Sequence, residues 1–270
     1  MLPTAKDWLN SLQQEARNAQ LDHMDVLING CGLEHSTLAS LSELAPAPAH
    51  AWLLQSTPEH EMAMQGPLLV RILLASEPQC AWLHGLLHTV HHQFRALALL
   101  SRWGFDDLAA HLRGATQATW SKGARSGLLR YYDTRLFRHF CELLDPHQLR
   151  HFHAPAIQWH WIDHDQRHSA MSGFDTRCAD LPTPACTLSL SDEQVMHLQA
   201  LSAAIQWFIG YDKTPHEHGL ASREALIRCL LDIHRDMNRQ GLAQQAHEAF
   251  ITQALSEFTP LVLTFDKGVA

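Results

Sequence analysis

Histidine is frequent in this chain, with 21 among 270 residues, and several histidines are spaced as metal ligands would be. His84, His88 and His92 follow one another at four-residue intervals, so a helix would carry them along one flank, with His91 beside His88. Two such imidazoles can hold zinc or nickel, but a site normally needs a third or fourth ligand and groups that orient the ligands. We therefore expect a solvated helix flank without a metal. A metal-dependent hydrolase that uses the histidine clusters is the alternative.

Two other stretches imitate enzyme motifs but fail in detail. Residues 30–35, Gly-Cys-Gly-Leu-Glu-His, begin like a dinucleotide fingerprint, yet His35 stands where a small residue must allow close helix packing. Residues 123–127, Gly-Ala-Arg-Ser-Gly, do not reproduce the Gly-x-Ser-x-Gly elbow, and they precede a predicted strand whereas the elbow must follow one. Asp163 and Asp165 could in principle act as a catalytic acid and base, but a hairpin turn is the simpler explanation for this pair of carboxylates. We therefore expect no cofactor, no catalytic residues and no enzyme activity.

Charge and hydropathy restrict the partners. The chain carries 20 basic and 28 acidic residues, a formal net charge of −8 with histidine neutral. A field of that sign repels phosphate backbones, so we expect no nucleic-acid partner. The first ten residues do not form the pattern of a secretory signal, and the apolar stretch 67–75 is interrupted by Arg71 and too short to span a membrane. We therefore expect a cytoplasmic protein without a membrane partner.

Cysteine usage agrees with a reducing compartment. The chain has six cysteines and no Cys-x-x-Cys pair, which is typical of buried thiols in the cytoplasm. Cys178 and Cys186 lie close in sequence, so a disulfide or a shared metal between them stays open.

Strands and helices alternate through the first two thirds of the chain. Apolar runs predict strands that include Met24–Ile28, Leu68–Leu74 and Ala96–Arg102, with helical periodicity between them. Ile157–Asp163 alternates like a strand with one buried face, which turns His160 away from the flanking tryptophans and towards the surface. This order predicts an α/β lobe over residues 1–175, a mixed sheet with flanking helices.

A change of composition predicts a second lobe. Residues 176–190 lose periodicity and contain Pro182 and Pro184, which is typical of a linker. Residues 191–270 then show three helical patterns and predict a small all-α lobe. The apolar positions of its second and third helices are Leu226, Leu230, Ile233 and Met237, followed by Leu242, Ala246, Phe250 and Ala254.

A series of short motifs lies between Ala96 and Asp163. In order they are Leu-Leu-Ser-Arg-Trp-Gly at 99–104, His-Leu-Arg at 111–113, Leu-Arg-Tyr-Tyr-Asp-Thr-Arg at 129–135 and Leu-Asp-Pro-His-Gln-Leu at 144–149. This series resembles the domain-of-unknown-function family 4123, in which an Arg-Tyr-Tyr-Asp-Pro-Arg segment follows a His-Leu-Arg helix and precedes an Asp-Pro-x-Gln-Leu helix. The similar region runs from the Met24 strand to about Asp163. Thr134 stands where the family pattern usually has proline, which loosens the turn but leaves its neighbours intact.

The resemblance implies a function without catalysis. Members of this family are adaptors encoded with a type VI secretion spike protein, VgrG, and a toxic effector. Such an adaptor binds the effector and loads it onto the spike before firing, and no catalytic residues are attributed to it. We therefore expect an effector chaperone with two partners, the effector and VgrG; a structural subunit of the secretion machine is a further alternative.

The motif residues have two possible roles. Gly127–Tyr132 is predicted as a strand, which would place Tyr131 and Tyr132 on opposite faces, and Asp133 is predicted to cap the next helix. Arg113, Arg130, Asp133 and Arg135 are expected to form an internal network of ion pairs and caps. Contact between these residues, together with Tyr132, and the effector is the alternative, because arginine is favoured at both kinds of site.

The helical lobe offers another candidate contact surface. Trp207, Phe208 and Tyr211 lie close together near the end of the first helix of this lobe, and aromatic residues often anchor protein interfaces. We expect these three residues to contact the effector. The alternative is that Trp207 and Phe208 only close the core of the lobe.

Overall fold

The structure is a computed structural model that describes residues 4–33, 35–181, 186–211, 214–242 and 246–257. Its internal contacts divide the chain into two compact units, Met1–Val195 and Met196–Ala270. The first unit contains two sheets with flanking helices, and the second contains helices. The predicted fold class, an α/β lobe followed by a small all-α lobe, is confirmed.

A six-stranded sheet forms the centre of the first unit. Its strands lie in the order β2-β3-β1-β4-β7-β8, and every neighbouring pair is antiparallel. A smaller sheet has the order β6-β5-β9. The strands are β1 (His23–Asn29), β2 (His50–Trp52), β3 (Pro67–Leu73), β4 (Ala96–Ser101), β5 (Gln117–Trp120), β6 (Arg125–Leu128), β7 (Ala156–Ile162), β8 (His168–Ser172) and β9 (Leu188–Ser189).

Helices occur in both units. They are α1 (Ala5–Asn18), α2 (His35–Ser42), α3 (Glu77–Val90), α4 (Phe105–Ala115), α5 (Thr134–Leu143), α6 (Pro146–Phe152), α7 (Asp192–Tyr211), α8 (Arg223–Gln240) and α9 (His247–Glu257). Thr4 caps α1 with a full capping box, and Asp145 does the same for α6, which begins with Pro146. These side chains satisfy backbone amides that a helix leaves without partners in its first turn.

Helices α1 and α3 cover one face of the large sheet. The alternate residues of the central strands, such as Val26 on β1 and Ala98 on β4, pack in one apolar cluster with Leu12 of α1 and Leu87 of α3. The register pairs Ala98 with His160, so His160 lies on this covered face and is only 6% exposed. The prediction of a surface-facing His160 is therefore wrong, because alternation assigns a side chain to a face but does not show whether a helix covers that face.

Aromatic side chains from α5 and α6 cover the other face. Phe137 of α5 lies 5.2 Å from Trp159 and 5.1 Å from Trp161, measured between ring centroids. Phe152 of α6 is parallel to Trp159 at 5.6 Å and meets Phe140 edge to face at 5.2 Å. Such pairs contribute about 0.5–1.5 kcal/mol each beyond the burial of their area. We call Phe137, Phe140, Phe152 and Trp159 the aromatic layer.

One ion pair is buried between the strands on this second face. The Arg71 guanidinium donates to both Asp25 oxygens, with Nε at 2.8 Å and Nη2 at 2.9 Å, and Nη2 also donates to the Trp103 carbonyl at 3.0 Å. Asp25 is fully buried, and its burial raises the pKa of the carboxyl against the opposing effect of Arg71. The register places the two residues directly opposite each other on β1 and β3.

The small sheet contains a strand that the sequence did not predict. Strand β9 lies within residues 176–190, the stretch predicted as a linker, and pairs in parallel with β5. The chain just before β9 lies close to α4, because a Cβ at Gly114 would lie 2.8 Å from the Cys186 carbonyl oxygen. All six cysteines are free, so no disulfide joins Cys178 to Cys186.

The second unit buries two apolar helix faces. Leu226, Leu230, Ile233 and Met237 of α8 are buried as predicted. Ser222 caps α8, and Gly241 ends it with a φ of 63°, a left-handed conformation that glycine adopts readily. In α9, which begins at His247, the buried positions are Ile251 and Leu255, each one residue after a predicted position.

Two buried histidines predict acid sensitivity. His153 is 2% exposed, neither of its ring nitrogens has a hydrogen bond within the described residues, and burial lowers its pKa to about 4. Burial, followed by repulsion from His168, lowers the pKa of His160 to about 4 as well. Between the unfolded pKa near 6.5 and the folded value, only the unfolded chain takes up the proton. The contribution of each residue to the free energy of unfolding is therefore fully present above the unfolded pKa. It should fall by about 3 kcal/mol as the pH decreases towards 4.

Urea unfolding of wild type and His153→Leu at several pH values between 7.5 and 4.5 would measure this effect. The variant should lose less free energy of unfolding on acidification, by about 3 kcal/mol at the low end. His88→Leu, which replaces an exposed histidine of α3, is the control and should follow the wild-type curve. Parallel curves for His153→Leu and wild type would show that His153 is not held neutral.

Candidate functional site

Residues 129–135, which we call the motif corner, connect β6 to α5. The predicted strand Gly127–Tyr132 ends at Leu128, and the chain then turns. The Leu129 amide donates to the Thr116 carbonyl at 2.7 Å, and the Asp133 amide donates to the Arg130 carbonyl at 3.0 Å. The corner is thereby attached to the end of α4, the helix that carries the His-Leu-Arg motif at 111–113.

Both tyrosines of the corner are buried. Tyr131 is 1% exposed and Tyr132 is 3% exposed, with ring centroids 5.9 Å apart. The prediction that they face opposite sides of a strand is wrong, because they lie in the turn after β6. The Tyr131 hydroxyl donates to the Leu112 carbonyl at 2.9 Å, and its ring meets Phe152 edge to face at 5.2 Å. Burial raises the pKa of both phenols, so neither is a ready proton donor near neutral pH.

Asp133 connects the corner to α5. One carboxylate oxygen accepts from the Arg135 amide at 3.2 Å, which confirms Asp133 as the N-cap. The Arg135 guanidinium donates to both oxygens, with Nε at 2.8 Å and Nη2 at 2.6 Å. This hydrogen bond is the main cause that raises the pKa of Arg135 above its ordinary value. The carboxylate of Asp133 is therefore committed to a cap and a bidentate ion pair.

The other two arginines are placed differently. Arg130 brings Nη2 within 3.8 Å of Asp133, a distance too long for a hydrogen bond, and its side chain is half exposed. Arg113 takes part in no ion pair among the described residues, and its Nε is buried there without a hydrogen-bond partner. The structure thus joins Asp133 and Arg135 closely and Arg130 loosely, but it does not bring Arg113 into this network.

A second polar network, absent from the sequence predictions, surrounds the start of α7. The Gln148 side chain of α6 donates to the Ser189 backbone carbonyl at 2.6 Å, and the Gln194 side chain donates to Gln148 Oε1 at 2.7 Å and to the Leu143 backbone carbonyl at 3.0 Å. The Gln194 amide also accepts from the Ser191 backbone, and Ser191 caps the helix in return. The partners of Gln194 on α5 and α6 are distant from it in sequence, so spacing could not predict them.

The aromatic candidates of the second unit lie on α7. Trp207 and Phe208 are half-buried, whereas the neighbouring Ile209 is 56% exposed. Tyr211 is the last residue of the helix, and its side chain lies outside the described part of the structure. The exposed apolar residue beside the predicted aromatic residues is therefore Ile209, which no sequence pattern indicated.

The histidine series on α3 is interrupted. His84 and His88 lie on α3, but the helix ends at Val90, and His92 lies in a following 3-10 helix, His91–Gln93. The His92 Nδ1 is 2.6 Å from Gln166 Oε1. Within the described part of the chain, these three histidines do not belong to a group of ligand atoms close enough to share a metal ion. The uniform spacing in sequence thus does not give a common helix flank.

Among the described residues, no helix combines the length and the apolar character that crossing a membrane requires.

Removal of the Asp133 carboxylate should destabilise the first unit. Asp133→Ala removes a helix cap that contributes about 0.5–2 kcal/mol, and it leaves the Arg135 guanidinium without its bidentate partner. We expect a loss of about 2 kcal/mol in the free energy of unfolding, measured by urea denaturation.

A control on the same helix is Arg138→Ala, which removes an exposed pair with Glu142 at 3.0 Å. Such pairs contribute about 0.3–0.5 kcal/mol, so this variant should unfold almost as the wild type does. Equal effects of the two substitutions would show that the Asp133 cap has no special importance.

Comparison with known proteins gives one family. No curated protein and no solved structure matches the chain. The family model described as "Domain of unknown function (DUF4123)" matches residues 26–151, which extend from β1 into α6 and include the motif corner. The chain is therefore similar to the DUF4123 family over residues 26–151.

Proposed function

We propose that this protein is an adaptor that binds a type VI secretion effector and loads it onto the VgrG spike, without catalysing a reaction. The observation that carries the proposal is the family match over residues 26–151, together with the motif series through which the chain resembles such adaptors. Its two partners would be the effector and VgrG, and it would act in the cytoplasm. Neither a nucleic acid nor a membrane is a partner in this proposal, in keeping with the net charge of −8.

The contacts of the motif corner support a binding scaffold. Tyr131, Asp133 and Arg135 form internal hydrogen bonds and an ion pair, so the fold itself explains why these residue types are present. Catalytic groups instead need reach to a substrate and a pKa suited to proton transfer. The buried phenols, whose pKa is raised, are unsuited to that task near neutral pH. A rigid corner is useful to an adaptor, because a surface ordered before binding loses less entropy on association.

The half-exposed Arg130 is the motif residue best placed to contact a partner. Its guanidinium is not fully matched by Asp133, which already pairs with Arg135 at shorter distance. Arginine is enriched at protein interfaces, because its planar group offers several donors at once. In this proposal Arg130 contributes to effector binding, whereas Asp133 and Arg135 act through the stability of the fold.

Deletion of the gene should abolish delivery of one effector while the secretion apparatus continues to fire. An adaptor serves a single cargo, so the general tube protein should still reach the culture medium. Immunoblots of the effector and the tube protein in the supernatants of wild-type, deleted and complemented strains would measure both. A complementing Arg130→Ala variant, with wild-type stability, should restore effector delivery only in part.

Other outcomes would contradict the adaptor. Loss of the tube protein from the supernatant would identify a structural subunit of the secretion machine. Stoichiometric zinc or nickel in protein purified without an affinity tag, retained through dialysis, would support the metal-dependent hydrolase instead.

A further inference from the structure

An exposed aromatic side chain stands on a tightly held backbone at the edge of the large sheet. Residues 173–176 follow β8, and each of their four amides donates to a backbone carbonyl in the segment 153–157 at 2.8–3.2 Å. The Thr176 carbonyl in turn accepts from the Trp103 indole at 2.6 Å. Loops with so many backbone hydrogen bonds have little conformational freedom, so Phe174 is presented in a fixed position.

The local backbone geometry is specialised for this position. A Cβ at Gly173 would lie 2.1 Å from the Ala156 carbonyl oxygen, so only glycine allows this approach. Asp175 has a φ of 47°, a left-handed conformation that residues other than glycine seldom adopt. Backbone conformations of this kind persist where the surroundings enforce them, and they often occur at functional sites.

The side chain of Phe174 is surrounded by charge instead of apolar cover. It is 47% exposed, and the Arg150 guanidinium lies 5.8 Å from its ring centroid, a cation–π distance. Arg102 pairs with Asp175 at 3.2 Å, with side chains that are 51% and 41% exposed. On α4, Asp107 interacts with the Cys178 thiol. Burial is the main cause that raises the pKa of this thiol, and Asp107 is a further cause. Arg102 is thus paired with Asp175, whereas Arg150 lies beside the exposed ring and has no ion pair among the described residues.

We propose that Phe174, Arg150 and Arg102 form a docking surface for a segment of a protein partner that carries a carboxylate next to an apolar side chain. The proposal rests on the adaptor function only in taking that partner to be a cargo protein. The apolar side chain would cover the Phe174 ring, and the carboxylate would pair with the Arg150 guanidinium, which has no ion pair among the described residues. Aromatic rings and arginines that desolvate together are the usual anchors of protein interfaces.

The charge and the rigidity both favour this occupant. The whole chain is acidic, with a net charge of −8, whereas the Arg150 guanidinium beside Phe174 has no acidic partner among the described residues. A carboxylate near Arg150 would also draw the guanidinium onto the ring and strengthen both contacts. Because the backbone of residues 173–176 is already ordered, association would cost little further entropy there.

Calorimetric titration with two probes tests the surface. The first probe is the purified product of a toxin-like gene, where one lies beside the gene for this chain, and the second is a synthetic peptide of repeated Asp-Leu-Phe-Glu, compared with its Lys-for-acid counterpart. Phe174→Ala and Arg150→Ala should each weaken both interactions by about tenfold or more, and Phe174→Tyr should restore most of the affinity. The acidic peptide should bind more tightly than its basic counterpart.

Met64→Ala is the matched control. Met64 is 52% exposed and lies between β2 and β3, at the opposite edge of the sheet order from β8. Its substitution should change neither affinity, and all variants should melt as the wild type does, because the replaced side chains are exposed.

The outcomes separate this proposal from the adaptor function. If the gene product binds wild type and Phe174→Ala equally, the docking surface is wrong while the adaptor function stands. If the gene product binds neither protein, the adaptor function is contradicted, and the peptide decides the surface alone. Equal binding of the acidic peptide to wild type and Phe174→Ala would overturn the surface. So would light scattering that shows a wild-type dimer and a Phe174→Ala monomer, because the occupant would then be a second copy of the chain.

Discussion

The packing of Phe137 and Phe152 against Trp159 is the contact on which the rest of the first unit depends. Trp159 lies at the centre of β7, and the two phenylalanines come from α5 and α6, so three elements meet at one point. Removal of one such ring typically costs about 3–5 kcal/mol. Because Tyr131 packs on Phe152, the same layer also determines where the motif corner lies. A polypeptide that lost this layer would lose the position of its family motif as well.

Polar groups near the aromatic layer must then find partners within the fold. Asp25 is fully buried on the same sheet face, and Arg71 neutralises it through a bidentate pair. Asp133, buried at the start of α5, is paired with Arg135 in the same way. Removing Arg71 would leave the Asp25 charge buried and unpaired, which typically costs about 3–5 kcal/mol. The pairs Asp25–Arg71 and Asp133–Arg135 resemble charged functional sites, but their pairing is explained largely by burial beside the aromatic layer.

Local signals made much of this architecture predictable. The cap at Asp133, the apolar runs of β1, β3 and β4 and the alternating pattern of β7 depend on residues that are close in sequence. Contacts between distant residues were not predictable in the same way. Asp25 and Arg71 are separated by 46 positions, and nothing in either neighbourhood shows that strand register brings them together. Strand β9 has only two residues, too few for a periodic pattern.

The candidate sites show the same division between local and distant information. The Asp133–Arg135 pair spans two residues and was expected, whereas the burial of both tyrosines depends on α4 and α6. No sequence pattern indicates Phe174 as a site, because a single phenylalanine in a polar stretch has no recognisable spacing. Only the hydrogen bonds from residues 173–176 to the segment 153–157 reveal that this ring is held outward.

A double-mutant cycle between Asp133 and Arg135 tests most directly the central claim that the motif corner is built for structure. The free energy of unfolding would be measured for wild type, Asp133→Ala, Arg135→Ala and the double variant. A bidentate pair with a buried carboxylate predicts a coupling energy of about 1–3 kcal/mol. Additive effects, within about 0.5 kcal/mol, would contradict the claim and show that these residues are kept for another purpose than the stability of the fold.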